Sequence, residues 1–316
     1  MTMMCVVRLD WWCIILLLSA AAVGTITSAL EVPHEGEYTE SFFQQHLKQS
    51  KAYPALVGVM SGVITELLGM TLRPHTTSVL DVGCGHGLLV EAWRLNSGIV
   101  HSYGVEGSDA AVSMWPSQYK DKYYRLVNLE SEESSRQQIT STDFVTTFEV
   151  AEHIQPSKAA HFVELLTLYQ PKLIFFGAAT PMQDRGMNPS HVNEQPFEYW
   201  IHYFNNNGYH VDWASSAMAR MKLLSLQDRT EQQAIIQAWW YPKNLLIFAP
   251  NSDRLRSHQA LLKISDSMNM LDPMLLQMAY SGGDTQFGSL WERDMRDFGR
   301  LFHQAQNKAR DGVKEL

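Results

Sequence analysis

Apolar residues recur at helical spacing between Glu40 and Leu72, at Phe42, Phe43, Leu47, Leu56, Val57, Met60, Val63, Ile64, Leu67 and Leu68. That pattern predicts one or two helices ending before Pro74, since proline cannot continue a helix. Beyond it the chain changes rhythm. Seven short runs rich in β-branched and aromatic residues, at 78–83, 102–107, 124–129, 143–150, 172–178, 208–213 and 244–250, alternate with stretches of helical pattern. Strands separated by helices imply βαβ units and a mostly parallel sheet with helices on both faces, an α/β Rossmann-like arrangement. After Pro250 the text turns polar and helical to the end, broken most clearly at 281–284 (SGGD). The organisation expected is a main α/β domain over residues 30–250 with a helical N-terminal cover, followed by a helical C-terminal extension over 251–316.

The first 29 residues belong to neither part. From Trp11 to Leu30 no residue is charged, and Arg8 is the only cation before that run. Thr27 and Ala29 stand where a signal peptidase takes small residues, so 1–29 is expected to be a cleaved signal peptide. The run is also long enough to be an uncleaved membrane anchor. Either way the expected location is the secretory pathway or an endomembrane lumen, or a membrane-anchored position. Cys5, Cys13 and Cys84 are the only cysteines, which excludes a disulfide framework and a cysteine zinc site. A net charge of −8 with no local basic patch argues against DNA as a partner.

The candidate chemistry begins at SVLDVGCGHGLLVEAW, where a buried strand runs into a glycine-rich turn and then a helix from about Leu88. Gly83, Gly85 and Gly87 permit a tight turn and close backbone approach, and the helix start offers free N–H groups to an anionic or nucleotide-type ligand. A dinucleotide fingerprint would need its third glycine at Leu88, which is bulky, so a nicotinamide oxidoreductase is disfavoured. The spacing is G-x-G-x-G preceded by Asp81. This segment resembles motif I of the class I S-adenosylmethionine-dependent methyltransferases. The resemblance extends in order over residues 75–250 and implies that family's seven-stranded fold and its cofactor, S-adenosyl-L-methionine. By that resemblance Asp81, Gly83, Gly85 and Gly87 form the cofactor loop. Glu106 stands at the position of the acid that binds the ribose hydroxyls, Asn128 and Leu129 where adenine is touched, and Glu149 opens the acidic loop after the fourth strand.

EVAEHI places Glu149, Glu152 and His153 within five residues just past a strand end, and the loop after the fifth strand adds His191 and Glu194. Two carboxylates and two imidazoles can hold a hard divalent cation such as Mg²⁺ or supply a general base, with His153 and His191 as the candidate catalytic pair. The other reading of the carboxylates is structural: Glu149 and Glu152 capping a helix from about Ser157, with His153 packed beneath the cofactor. The ExxEH set followed by a later histidine resembles the metal-binding residues of ubiquinone-biosynthesis O-methyltransferases and of small-RNA 3′-end 2′-O-methyltransferases. That resemblance implies Glu149, Glu152, His153 and His191 as metal ligands. The aromatic run Phe197, Tyr199, Trp200, Tyr203 and Phe204 reads as core, or as an acceptor pocket with Tyr199 or Trp200 stacking on a ring; Trp239, Trp240 and Tyr241 allow the same two readings. The expected activity is methyl transfer, most simply to a hydroxyl of a small molecule or glycan. N-methylation, RNA 2′-O-methylation and a non-catalytic cofactor-binding scaffold are the alternatives.

Overall fold

Seven strands form one sheet in the order β3-β2-β1-β4-β5-β7-β6. They are β1 (Ser78–Val82), β2 (His101–Glu106), β3 (Tyr124–Leu126), β4 (Phe144–Phe148), β5 (Leu173–Gly177), β6 (Tyr209–Val211) and β7 (Leu246–Pro250). The first five run parallel, while β7 is antiparallel to both β5 and β6. The computed structural model describes residues 38–115, 117–118, 120–264 and 285–314. The proposed signal or anchor over 1–29 lies outside them. Among the described residues no helix is long and apolar enough to cross a membrane.

Among the described residues the α-helices longer than five residues are α1 (Glu40–His46), α2 (Tyr53–Leu68), α3 (Leu88–Ser97), α4 (Glu132–Gln138), α5 (Ala159–Thr167), α6 (Phe197–Asn206), α7 (Trp213–Leu224), α8 (Arg229–Gln237), α9 (Arg254–Ile264) and α10 (Thr285–Lys314). The helical stretch expected after Glu40 is divided by a 3₁₀ turn at Leu47–Ala52 and closes at Gly69, whose left-handed φ of 61° stops α2.

The period-2 alternation of the strands sorts the core into two layers. Val79, Phe144, Phe175 and Ile247 face one side, against Leu56, Met60 and Ile64 of α2, Trp93 of α3 and Leu223 of α7. Leu80, Val145, Ile174, Phe176 and Phe248 face the other, against Phe162 of α5, Trp200 and Phe204 of α6 and Phe298 and Phe302 of α10. The C-terminal helix therefore contributes to the main core. The strand order reverses direction between β1 and β4, and in open α/β sheets the crevice at that point, beyond the strand carboxyl ends, is where ligands bind. The loops after β1, β2, β4 and β5 meet there.

Candidate active site

The loop after β1 is built by steric need. Gly83 and Gly87 have φ of 78° and 77°, and a Cβ on Gly83 would stand 2.3 Å from Val150 while one on Gly87 would stand 2.6 Å from the Tyr124 ring. Gly87 is also the N-cap of α3 and has no side chain to cap it; the first N–H of the helix, that of Leu88, donates to His86 Nδ1 at 3.4 Å. Glu106, ending β2, turns its carboxylate onto this loop and accepts from the N–H groups of Gly85 (2.7 Å), Gly107 (2.8 Å) and Ser108 (2.9 Å). It thereby ties the first two loops together. Burial nonetheless raises its pKa, against the pull of those three donors.

Asp81 lies buried under the turn and accepts from the Thr146 hydroxyl at 2.7 Å. Burial pushes its pKa up to about 7, Thr146 opposing and the Glu106 carboxylate adding to the rise. His86, inside the turn, is buried and pushed down to about 4 by burial and by His46, so its imidazole is neutral at physiological pH. Asn128 and Leu129 stand just past the end of β3. Asn128 is exposed and accepts from the Glu130 N–H, while Leu129 is buried in the core layer of α5.

Residues 38–46 lie across all of this. The Phe43 ring comes within 3.4 Å of where a Cβ on Gly85 would be, the Tyr38 carbonyl accepts from the Ser108 hydroxyl at 3.3 Å, and the Tyr38 ring meets the His153 ring edge-on at 5.4 Å. The expected helical cover thus touches the loops after β1, β2 and β4.

The loop after β4 presents the acidic set. Glu149 adopts a left-handed φ of 56°, and its carboxylate accepts from the side-chain amides of Asn244 (2.9 Å) and Gln183. Glu152 is fully buried, and neither of its carboxylate oxygens meets a hydrogen-bond donor in good geometry. Burial and then the Glu149 carboxylate raise its pKa well above the carboxylate range, against the N–H groups of Glu152 itself and Ala179. His153 donates Nδ1–H to the Ser190 carbonyl (3.1 Å), and His191 donates Nδ1–H to Glu194 Oε1 (2.9 Å) with Asp184 at 3.4 Å. The two rings meet edge-on with centroids 4.7 Å apart. One ligand atom each from Glu152, His153 and His191 fall within 4.8 Å of one another. Glu149, the fourth expected ligand, stands beside them with both oxygens taken by amides.

Neither glutamate caps a helix, contrary to the structural alternative. The N–H of Gln155 goes to Glu130 Oε1 (2.7 Å), and the segment enters α5 through a 3₁₀ turn at Pro156–Lys158. Trp200 is buried against Phe176 and Phe204 stacks on Phe248 at 3.7 Å, so the α6 aromatics are core and no stacking surface remains on Trp200. Tyr199 stays half-buried beside Asn193, whose N–H donates to the Glu152 carbonyl (2.9 Å). The supporting residues Gln183, Asp184, Ser190 and Asn244 carry no motif that sequence reasoning could use. Only Asn188-Pro-Ser190, a turn-forming triplet, hints at the bend that brings Ser190 to His153.

A family model described as a methyltransferase domain matches residues 51–221, more than half of the chain. The chain belongs to this methyltransferase family. It is an S-adenosylmethionine-dependent enzyme of the class I fold, and the nicotinamide alternative is set aside. No curated protein matches it in sequence. Among solved structures it is similar to an S-adenosylmethionine-dependent methyltransferase from Archaeoglobus fulgidus (15% identity, TM-score 0.38, 49% of this chain and 69% of that one). It is also similar to the plantazolicin methyltransferase BpumL in complex with S-adenosylhomocysteine (14%, 0.45, 67% and 88%) and to the methyltransferase domain of bacterial CtHen1 (17%, 0.38, 51% and 87%). In this methyltransferase the loops after β1 and β2 are tied together by Glu106 on one side of the crevice, and those after β4 and β5 bring Glu152, His153 and His191 together.

Proposed function

We propose that this methyltransferase transfers the methyl group to a hydroxyl of a small molecule or glycan, and that Glu152, His153 and His191, with Glu149 adjoining, hold a divalent cation beside that hydroxyl. The observation that carries the reading is Glu152: a fully buried carboxylate whose oxygens meet no hydrogen-bond donor in good geometry, close to two imidazoles. Such a group is costly to bury unless a proton or a cation compensates it. The imidazoles support the same reading. Each gives its Nδ1–H to an oxygen, Ser190 for one and Glu194 for the other, which leaves the lone pair on Nε2; ligating histidines are oriented in this way. S-adenosylmethionine, when bound, supplies a methyl group already activated on a sulfonium. A cation at this site would lower the pKa of an acceptor hydroxyl.

The chain's own share is placement and proton handling. The glycine loop and Glu106 fix the cofactor side and residues 38–46 exclude water from above; with a cation held, the His153 Nε2 lone pair is its ligand, and without one Nε2 is the atom positioned to take the hydroxyl proton. Lining up acceptor and methyl can contribute roughly 7–11 kcal/mol of the barrier.

The test is a Mn²⁺ titration followed by electron paramagnetic resonance on the full chain with S-adenosylhomocysteine bound. One Mn²⁺ is expected, with affinity falling about a hundredfold in Glu152→Gln and in His191→Ala while S-adenosylhomocysteine still binds. Absence of Mn²⁺ binding removes the cation and leaves His153 as the base. A radiolabelled-methyl screen over phenols, sugars, amines and short RNAs then decides the acceptor: label on an amine or on an RNA ribose would overturn the hydroxyl-of-a-small-molecule reading.

A further inference from the structure

The loop that carries His191 is held from an unexpected direction. Lys243, in the short helix Trp240–Asn244 before β7, is fully buried and donates from Nζ to the Thr180 hydroxyl (2.6 Å) and to Asp294 Oδ2 (2.7 Å) on α10. Thr180 Oγ1 in turn donates to the same Asp294 oxygen (2.6 Å). Next to Asp294, Arg293 donates to the Pro181 carbonyl (2.8 Å) and to Asp294 Oδ1. The C-terminal helix therefore grips two consecutive residues where the chain leaves β5.

From there the connections run inward without a gap. The N–H of Met182, at a left-handed φ of 69°, donates to Glu194 Oε2 (2.6 Å), and Glu194 Oε1 holds His191 Nδ1. On the other side of Lys243 in sequence, Asn244 donates to both Glu149 and Gln183. One ion pair thus stands at the root of both sets of bonds that orient the acceptor side. A pair of charges buried this deeply is a poor way to gain stability, because desolvation takes back most of what the attraction gives. Two apolar side chains would fill the space as well. They would not grip the Thr180 hydroxyl.

We propose that Asp294 is a positioning residue of the methyltransferase, acting through Lys243 and Thr180 to fix the His191 loop over residues 180–194. The functional meaning rests on reading His153 and His191 as the acceptor side of the site, whereas the positioning itself is measured with neither metal nor acceptor present.

The experiment compares the full-length wild type with Asp294→Asn, Asp294→Glu and the double variant Lys243→Met/Asp294→Leu. Amide hydrogen exchange of residues 180–194, the His153 and His191 ring signals by NMR, S-adenosylhomocysteine affinity and the melting midpoint are read for each. In Asp294→Asn, exchange of the loop amides is expected to rise about tenfold and the His191 ring signals to move, with cofactor-product affinity changed less than about threefold. Asp294→Glu should return both. The double variant should melt near the wild type yet keep the loosened loop. Native loop exchange and native His191 signals in folded Asp294→Asn overturn the proposal, and if that variant does not fold, the same result in the double variant does. Loss of Mn²⁺ binding in the wild type bears on the cation alone and leaves this outcome untouched.

Discussion

At the scale of single residues, Asp81 is the most exacting position. Its carboxyl is buried and its pKa is pushed up to about 7, so the folded protein holds a proton there that the unfolded chain releases near the usual carboxylate value of 3.8. Protons bound in excess by the native state make stability fall as pH rises, so this group costs nothing below about pH 3.8 and its full amount above about pH 7. Asp81→Asn keeps an acceptor for the Thr146 hydroxyl and removes the charge. The variant without cofactor should therefore unfold at higher denaturant at pH 8, by about 2–4 kcal/mol, with little change at pH 4. A variant equally stable or weaker at pH 8 would show that Asp81 is ionised without penalty. At this depth the carboxylate lowers stability at neutral pH rather than adding to it.

At the scale of elements, residues 38–46 behave as a cover. Thr39 caps α1 by accepting from the Phe42 N–H, and the three contacts of this segment fall on three different loops of the crevice. Phe43 lies over Gly85 of the glycine turn, so a cofactor seated there as proposed would have this ring above it. Replacing Phe43 by alanine should therefore speed dissociation of S-adenosylhomocysteine about tenfold, equivalent to about 1.4 kcal/mol, with a smaller effect on association, as stopped-flow fluorescence would report. An unchanged off-rate would place the route of release elsewhere. That a helix would stand here was legible from the spacing of Phe42, Phe43 and Leu47. Which loops it touches was not, because those contacts depend on where the chain returns after β2 and β4.

At the scale of the whole molecule, what could be read from the sequence was what local physics writes down. The glycines of the turn are dictated by clashes with Val150 and Tyr124, and the strands by their alternation, so the sheet, the crevice and the residues at its mouth were all legible. Topology pointed to Glu149, Glu152, His153 and His191 as one set; ligand atoms of the last three do come together, while the Glu149 oxygens go to Asn244 and Gln183. What escaped was the side-chain pairing that holds these residues: Lys243 with Asp294 and Thr180, or Gln183 with Glu149, joins positions far apart in sequence and leaves no periodic trace. The polar text after Pro250 reads as an appendage for the same reason. Yet Met295, Phe298 and Phe302 of α10 are buried in the main core, and Asp294 is the counter-charge of Lys243. A chain ending at Ile264 should accordingly show no cooperative melting transition in calorimetry, since an uncompensated buried charge alone costs about 3–5 kcal/mol. A native-like transition would restore the appendage view. The same pairing sets a timetable during synthesis. Asp294 is made 51 residues after Lys243, an interval of about 3–10 s at ordinary elongation rates. Through that interval the nascent sheet carries a lysine without its counter-charge at the root of the loop after β5, so the fastening of that loop waits until Asp294 of α10 has left the ribosome.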